Sequence, residues 1–237
     1  MNSEYLYNAL TCGNIELKGQ FTLGSNYTFL VAVRHGGQEF PAVYKPQKGE
    51  QPLWDFPENT LSGREVAAYH VSQALGWNLV PYTVFRDEGP YGPGSLQQYI
   101  EYDPNYHYFN FKPEDKQQLR TVALFDHLTN NADRKGSHVF FDKDTHELRA
   151  IDHGLCFNVD DKLRTVIWDF AGEQISPEHL YALRQIMVPA ESLVAELRRY
   201  LTHEEIIALT RRAKILVNRG TFPQPPPGRR AVPYPPL

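Results

Sequence analysis

From Asn14 to Tyr44, apolar and polar positions alternate with a period of two in three runs, IELKGQFTL, YTFLVAV and EFPAVYKP. The breaks between them are Gly24-Ser25-Asn26 and His35-Gly36-Gly37. β-Branched and aromatic residues on that period between Gly/Asn turns predict an antiparallel meander. Residues 47–60, rich in Pro, Glu and Gly, predict a loop. The period then lengthens. Val66, Ala67, Val71, Ala74 and Leu75 share one side of a helix from Gly63 to Leu75, started by Ser62 and stopped by Gly76. Short strands are expected at Val80 to Arg86 and Ser95 to Glu101, completing a small β-rich lobe with one helix.

Further along, Pro113 followed by Glu114 and Asp115 opens a helix that ends near Asn130, with proline and acidic residues suited to a helix start. Three more helical stretches are expected at Pro177 to Ile186, Ala190 to Leu201 and His203 to Val217. The Pro-rich tail Thr221 to Leu237 cannot form a packed core, and is expected to run extended over the surface or free in solvent. The fold class predicted is α+β with two lobes: residues 1–101 as the β-rich N-lobe, 102–220 as the mainly helical C-lobe, and 221–237 as the tail.

The segment Leu124 to Phe157 carries the densest chemistry. If Val139 to Asp142 and Leu148 to Asp152 pair as antiparallel strands with Asp142 opposite Leu148, His138 stands opposite Asp152. Asp133 enters the same space from the preceding loop. A base and a metal site then share one small volume. The structural alternative is that Asp133 and Asp152 cap turns and His138 is a satisfied core histidine. Gly154 fits a backbone position needing close approach or a positive φ, and Cys156 fits the core.

Upstream, Lys45 ends a strand beside the Gly24-Ser25-Asn26 turn and could reach a phosphate. An edge-strand lysine that limits aggregation has the same appearance. Glu65 could pair with Lys45, but Ser62-Gly63-Arg64-Glu65 also matches a capping box. Close-spaced Cys/His pairs for zinc do not occur. Asp126-His127 lacks a second paired His for a metal phosphohydrolase, and there is no G-x-S-x-G nucleophile elbow.

Composition narrows the classes. A chain of 237 residues with 41% hydrophobic and 13% aromatic residues can bury a substantial core. A net charge of -4 without a long Lys/Arg cluster argues against nucleic acid as a partner. Two cysteines do not make a disulfide framework, the start MNSEYLYNAL has no leader pattern, and no apolar run is long enough to span a membrane. The expectation is a cytoplasmic protein.

Taken in order, the turn Gly24-Ser25-Asn26, Lys45 in VYKP, Glu65 in GREVAAY, Asp133 in NADRKGSH and Asp152 in AIDHG resemble the parts of the phosphatidylinositol 3-/4-kinase-like superfamily of atypical kinases, which includes HipA-type and Golgi casein kinases. The resemblance spans residues 14–170 and is strongest from Phe125 to Phe157. It implies a kinase that transfers the γ-phosphate of ATP to a hydroxyl on a lipid, protein or small molecule, with Mg²⁺ or Mn²⁺.

It also implies roles. Lys45 would contact the α/β-phosphates, oriented by Glu65, under the Gly24 to Asn26 turn. Asp133 would orient or deprotonate the acceptor hydroxyl, and Asp152 and His138 would hold the metal. The stretch Gln97 to Glu101, with Tyr99 between, would form the adenine hinge. Where the superfamily's loop motif D-R-H-x-x-N ends in Asn, this chain has His138. An imidazole suits Mn²⁺ better than a carbonyl oxygen does, and its ordinary pKa of about 6.5 predicts weaker metal binding in mild acid. Lys162 and Arg164, balanced by Asp160 and Asp161, argue against a phosphorylated inositide as acceptor. Two other classes stay open: a nucleotide-binding pseudokinase, and an interaction module whose Pro-rich tail fits a partner's aromatic groove.

Overall fold

The computed structural model describes residues 3–21 and 26–237. The meander forms as the alternation requires: β1 (Asn14–Phe21), β2 (Thr28–His35) and β3 (Gln38–Pro46) pair antiparallel in sequence order. Two more strands, β4 (Thr83–Arg86) and β5 (Gly94–Gln98), complete a five-stranded sheet of order β1-β2-β3-β5-β4. Val31, Val33, Phe40, Ala42 and Tyr44 point to one face. Leu6, Ala9 and Leu10 of helix α1 (Ser3–Cys12) cover them. Helix α1 was not among the expected elements; its three core residues become an apolar stripe only once the sheet supplies a face to bury them.

Helix α2 runs Leu61–Ala74, two residues ahead of its expected start. Ser62 therefore lies inside the helix and caps nothing. The cap comes from eleven residues upstream, where the Glu50 carboxylate accepts the N–H groups of Leu61 and Ser62 at 3.0 and 2.8 Å. Glu65 is thereby released from capping. The helix stops at Gly76, whose φ of +68° is the left-handed conformation glycine adopts readily.

The C-terminal part is mainly helical: α3 (Pro113–Thr129), α4 (Pro177–Met187), α5 (Glu191–Leu197) and α6 (His203–Arg219), with the hairpin β6 (Val139–Phe141) and β7 (Leu148–Ala150). Its core joins Leu119, Val122 and Phe125 of α3 with Leu183, Ile186, Leu209 and Leu216, and extends to Ala67, Ala68 and Val71 of α2. Helix α2 therefore packs into the C-terminal core while lying against β4 and β5 of the sheet. A buried ion pair reinforces this. Arg64 lies 2.5 Å from Glu205 on α6 and donates to Cys156 O at 2.7 Å. Among the described residues, no helix is long and apolar enough to cross a membrane.

The tail does not run free. Phe222 is buried in the core, and Ala231 O accepts the N–H of Thr165 at 3.0 Å and Trp168 Nε1–H at 3.1 Å. Pro236 O accepts Gly136 N–H at 2.8 Å, beside the loop that carries Asp133. A proline-rich segment donates few backbone hydrogen bonds but still accepts them, and this tail docks mainly through its carbonyls and arginines.

Candidate active site

Period two in β3 turns Tyr44 into the sheet core and sends Lys45 to the other face, where α2 passes. Lys45 Nζ donates to Glu65 Oε1 and, at 3.0 Å, to Asp152 Oδ1. The second oxygen of Glu65 accepts the His153 backbone N–H at 2.8 Å. One buried carboxylate thus orients the lysine and pins the backbone just after Asp152. Burial opposes the charge on Lys45, but the Asp152 and Glu65 carboxylates outweigh it and raise its pKa. Burial would also raise Asp152; the Lys45 ammonium reverses this and holds it well below the usual carboxylate range.

The hairpin register is one residue off the expected pairing. Phe141 stands opposite Leu148 and Val139 opposite Ala150, so His138 falls opposite Ile151, whose N–H donates to His138 O at 3.0 Å. In a regular strand such a slip would send the Asp152 side chain to the opposite face. Instead the strand ends at Ala150 and Asp152 takes a left-handed φ of +62°, which a short polar side chain tolerates. His138 Nε2 and Asp152 Oδ2 then meet at 3.2 Å. The positive φ lies at Asp152 and not at Gly154, and a Cβ at Gly154 would meet Leu61 Cβ at an ordinary 3.4 Å, so neither requirement expected of Gly154 holds.

The donors fit a divalent metal shared with phosphate. Two donors 3.2 Å apart match neighbouring ligands each about 2.1 Å from one ion. The Asp152 side chain is 47% open, leaving its outer face to the cleft. Among the described residues no group of three or more His, Cys, Asp or Glu is arranged to hold a metal, so the remaining positions would fall to phosphate oxygens and water. Burial pushes His138 down to about 4. It is neutral through mild acid, which corrects the expectation of protonation near its ordinary pKa.

Asp133 stands on the loop between Asn130, left-handed at φ +58°, and the short 3-10 turn Gly136–His138. Burial raises its pKa; Lys135, with Nζ 3.5 Å from Oδ2, pulls it back, and the Asp152 charge adds to the rise. The loop is held by Arg134, which is fully buried. Its Nε lies 3.0 and 3.1 Å from the two oxygens of the equally buried Asp126. Its Nη1 donates to His138 O and Ile151 O, at 3.2 and 2.6 Å. Its Nη2 lies 2.7 Å from His153 Nε2, and burial with the Arg134 charge keeps that histidine neutral. One guanidinium thus ties α3, the Asp133 loop and the residues flanking both strands of the hairpin.

Other expected positions are placed differently. Gly24 and Ser25 lie outside the described residues. Asn26 Oδ1 accepts Gln51 N–H at 2.7 Å. Gln97 is buried in the β3–β5–β4 ladder with its amide on Thr83 Oγ1 at 2.8 Å, Tyr99 N–H donates to Pro41 O at 3.1 Å, and Glu101 pairs with Lys143. The Gln97 amide and the Tyr99 N–H thus have partners within the sheet, while the Glu101 pair with Lys143 is exposed. Near this segment Tyr102 is half-buried and stacks at 4.1 Å on the buried Phe140 of β6.

Protein Rv2133c of Mycobacterium tuberculosis is 37% identical over 262 residues, spanning 95% of this chain and 93% of that protein. The chain belongs to the Rv2133c family. No protein-family model matches it. Solved structures share its fold at low identity. Hydra Fam20 with sugar superposes with a TM-score of 0.60 at 14% identity, over 92% of this chain and 90% of that one. The Golgi casein kinase with Mn/ADP bound gives 0.57 at 16%, over 91% and 74%. The Helicobacter pylori proinflammatory kinase CtkA gives 0.54 at 12%, over 90% and 94%. The chain therefore has an atypical protein-kinase-like fold, α+β, with the sheet N-terminal and the helices C-terminal.

Proposed function

We propose that this member of the Rv2133c family transfers the γ-phosphoryl group of ATP to a hydroxyl. The observation that carries the reading is the cluster of Lys45, Glu65, Asp152 and His138, with Asp133 close enough to Asp152 for their charges to interact. Placement in the phosphatidylinositol 3-/4-kinase-like superfamily rests on the order and spacing of these motifs. The Mn/ADP-bound Golgi casein kinase supports nucleotide and metal use by the same fold.

Lys45, held by Glu65, binds the α/β-phosphates. Mg²⁺ or Mn²⁺, when bound by Asp152 and His138, neutralises phosphate charge. Asp133 accepts the hydroxyl proton as the acceptor oxygen bonds to the γ-phosphorus and the bond to the β-γ bridging oxygen breaks, releasing ADP. Lys135 beside Asp133 is placed to follow the transferred phosphoryl charge. Tyr102, half-buried and backed by the buried Phe140, supplies an apolar face for adenine.

A second reading of His138 is favoured by the Lys135 N–H, 3.5 Å from Nδ1. That contact suits the tautomer with its proton on Nε2, which would donate to Asp152 and anchor it without ligating metal. The test of the main reading is incubation with γ-labelled ATP and Mn²⁺ or Mg²⁺, comparing wild type with Asp133→Ala and Asp152→Ala. Label transfer that survives both changes would refute the site.

A further inference from the structure

Residues 229–237, RRAVPYPPL, pass beside the candidate active site and bond to the segments around Thr165 and Gly136. Arg229 anchors them: Nη1 donates to Leu163 O at 2.8 Å and Nη2 to Asp161 Oδ1 at 2.6 Å. Ala231 O accepts Thr165 N–H at 3.0 Å and Trp168 Nε1–H at 3.1 Å, which fills both lone pairs of that carbonyl. Pro233 is buried. Pro236 O then accepts Gly136 N–H at 2.8 Å.

Both carbonyls land on backbone that positions Asp133. Thr165 is bridged in parallel to Arg134, with Arg134 N–H on Arg164 O at 3.0 Å and Val166 N–H on Arg134 O at 3.2 Å. The Thr165 hydroxyl donates at 3.1 Å to Asp126 Oδ2, on the carboxylate that holds Arg134. Gly136 opens the 3-10 turn Gly136–His138, and the first N–H of a helical turn has no acceptor within it. Pro236 O supplies one. On Gly136 a Cβ would meet the Phe109 ring at 2.8 Å, so the ring packs directly on this backbone. The turn that follows Asp133 and carries His138 is thus held by an aromatic ring and by the tail.

The composition suits this role. Proline restricts the unfolded segment, so less entropy is lost on ordering it, and a residue without an N–H leaves no donor to satisfy where only its carbonyl is bonded. We propose that residues 229–237 are a positioning element of the active site, whose Ala231 and Pro236 carbonyls hold the Asp133 loop in the geometry that phosphoryl transfer requires. This rests on the phosphotransferase reading above. A strap that only packed would add stability alone. A strap that places the base acts on rate, since a misplacement of about 1 Å costs on the order of 10²-fold.

The test compares the full chain with a form ending at Val232, which loses the Pro236 contact and keeps Arg229 and Ala231, and with full-length Arg229→Gln. The assay uses γ-labelled ATP and Mn²⁺ with whichever of a Ser-containing peptide, glycerol and water wild type uses best. Truncation should lower kcat by about 10–100-fold with little change in the KM for ATP, because Lys45 and Glu65 are untouched. Arg229→Gln should lower kcat less, and it decides by the same split between kcat and KM if the truncated form does not fold.

Amide exchange is a readout independent of catalysis. In the truncated form Gly136 N–H should exchange about tenfold faster or more, while Thr165 N–H, whose acceptor remains, should not change. An unchanged or raised kcat in the folded truncated form, a parallel rise in the KM for ATP, or unchanged Gly136 exchange would overturn the proposal. If wild type transfers no label to any acceptor, the phosphotransferase reading fails, and the hold of the tail on the loop stands or falls on the Gly136 exchange alone.

Discussion

Replacing Arg134 with Met removes a buried cation and leaves the Asp126 carboxylate, fully enclosed, without its counter-charge. Breaking a buried pair from one side costs about 3–5 kcal/mol, against a total of about 5–15 kcal/mol for a typical domain. Two carbonyls, His138 O and Ile151 O, also lose a donor, so the upper half of that range is expected.

The pH dependence identifies the cause. Burial raises the Asp126 pKa above its unfolded value even with Arg134 opposing, so ionising it disfavours the fold. A group raised in this way contributes stability that is present at low pH and lost as pH rises through its folded pKa. Without Arg134 that pKa climbs further, and the deficit of Arg134→Met should be smaller at pH 5 than at pH 7. Urea unfolding at both values measures it, and a cycle with Asp126→Asn should show strong coupling, the double variant being more stable than additivity requires. A deficit below about 1 kcal/mol, a deficit independent of pH, or additive effects would refute the buried-lock account.

Lys45→Met should lower ATP turnover by roughly 10²–10³-fold and weaken nucleotide binding, measured by steady-state kinetics and titration. Asp133→Asn should reduce kcat by about 10²–10⁴-fold while nucleotide affinity is retained, because it removes the base and leaves the phosphate site intact. His138→Asn should shift metal preference from Mn²⁺ toward Mg²⁺ if the ring is a ligand; an unchanged preference ratio supports its role as an anchor for Asp152. Glu50→Ala should destabilise the protein by about 1 kcal/mol, read as a lower Tm, through loss of the α2 cap and not through the active site.

How far these features are legible in the chain depends on the range of the interaction behind each. The meander follows from a two-residue period, and α3 and α6 follow from their starts, with Pro113 opening α3 and Thr202 and Glu205 forming a reciprocal cap on α6. Lys135, two residues after Asp133, could have been noticed as a charge beside the candidate base. Arg134 reads as a surface charge in the polar run NADRKGSH, yet it is fully buried, because its partner Asp126 sits on the preceding helix and its other acceptors lie across the hairpin. The ambiguity of Glu65 between cap and ion pair was settled by Glu50, a residue outside either local motif.

The sequence by itself determined most element types, helix α1 excepted, the order of Lys45, Glu65, Asp133, His138 and Asp152, and the α+β plan, since these depend on periodicity and spacing along the chain. Tertiary structure decided how those residues meet. The meeting of His138 with Asp152 depends on a positive φ that offsets a one-residue slip. The pairing of Asp161 with Arg229 depends on the docking of the tail. Helix α1 and the docking of the tail depend on faces that exist only after folding. Each is a long-range compensation of charge, hydrogen bonding or apolar surface, so it has no local pattern from which it could be read.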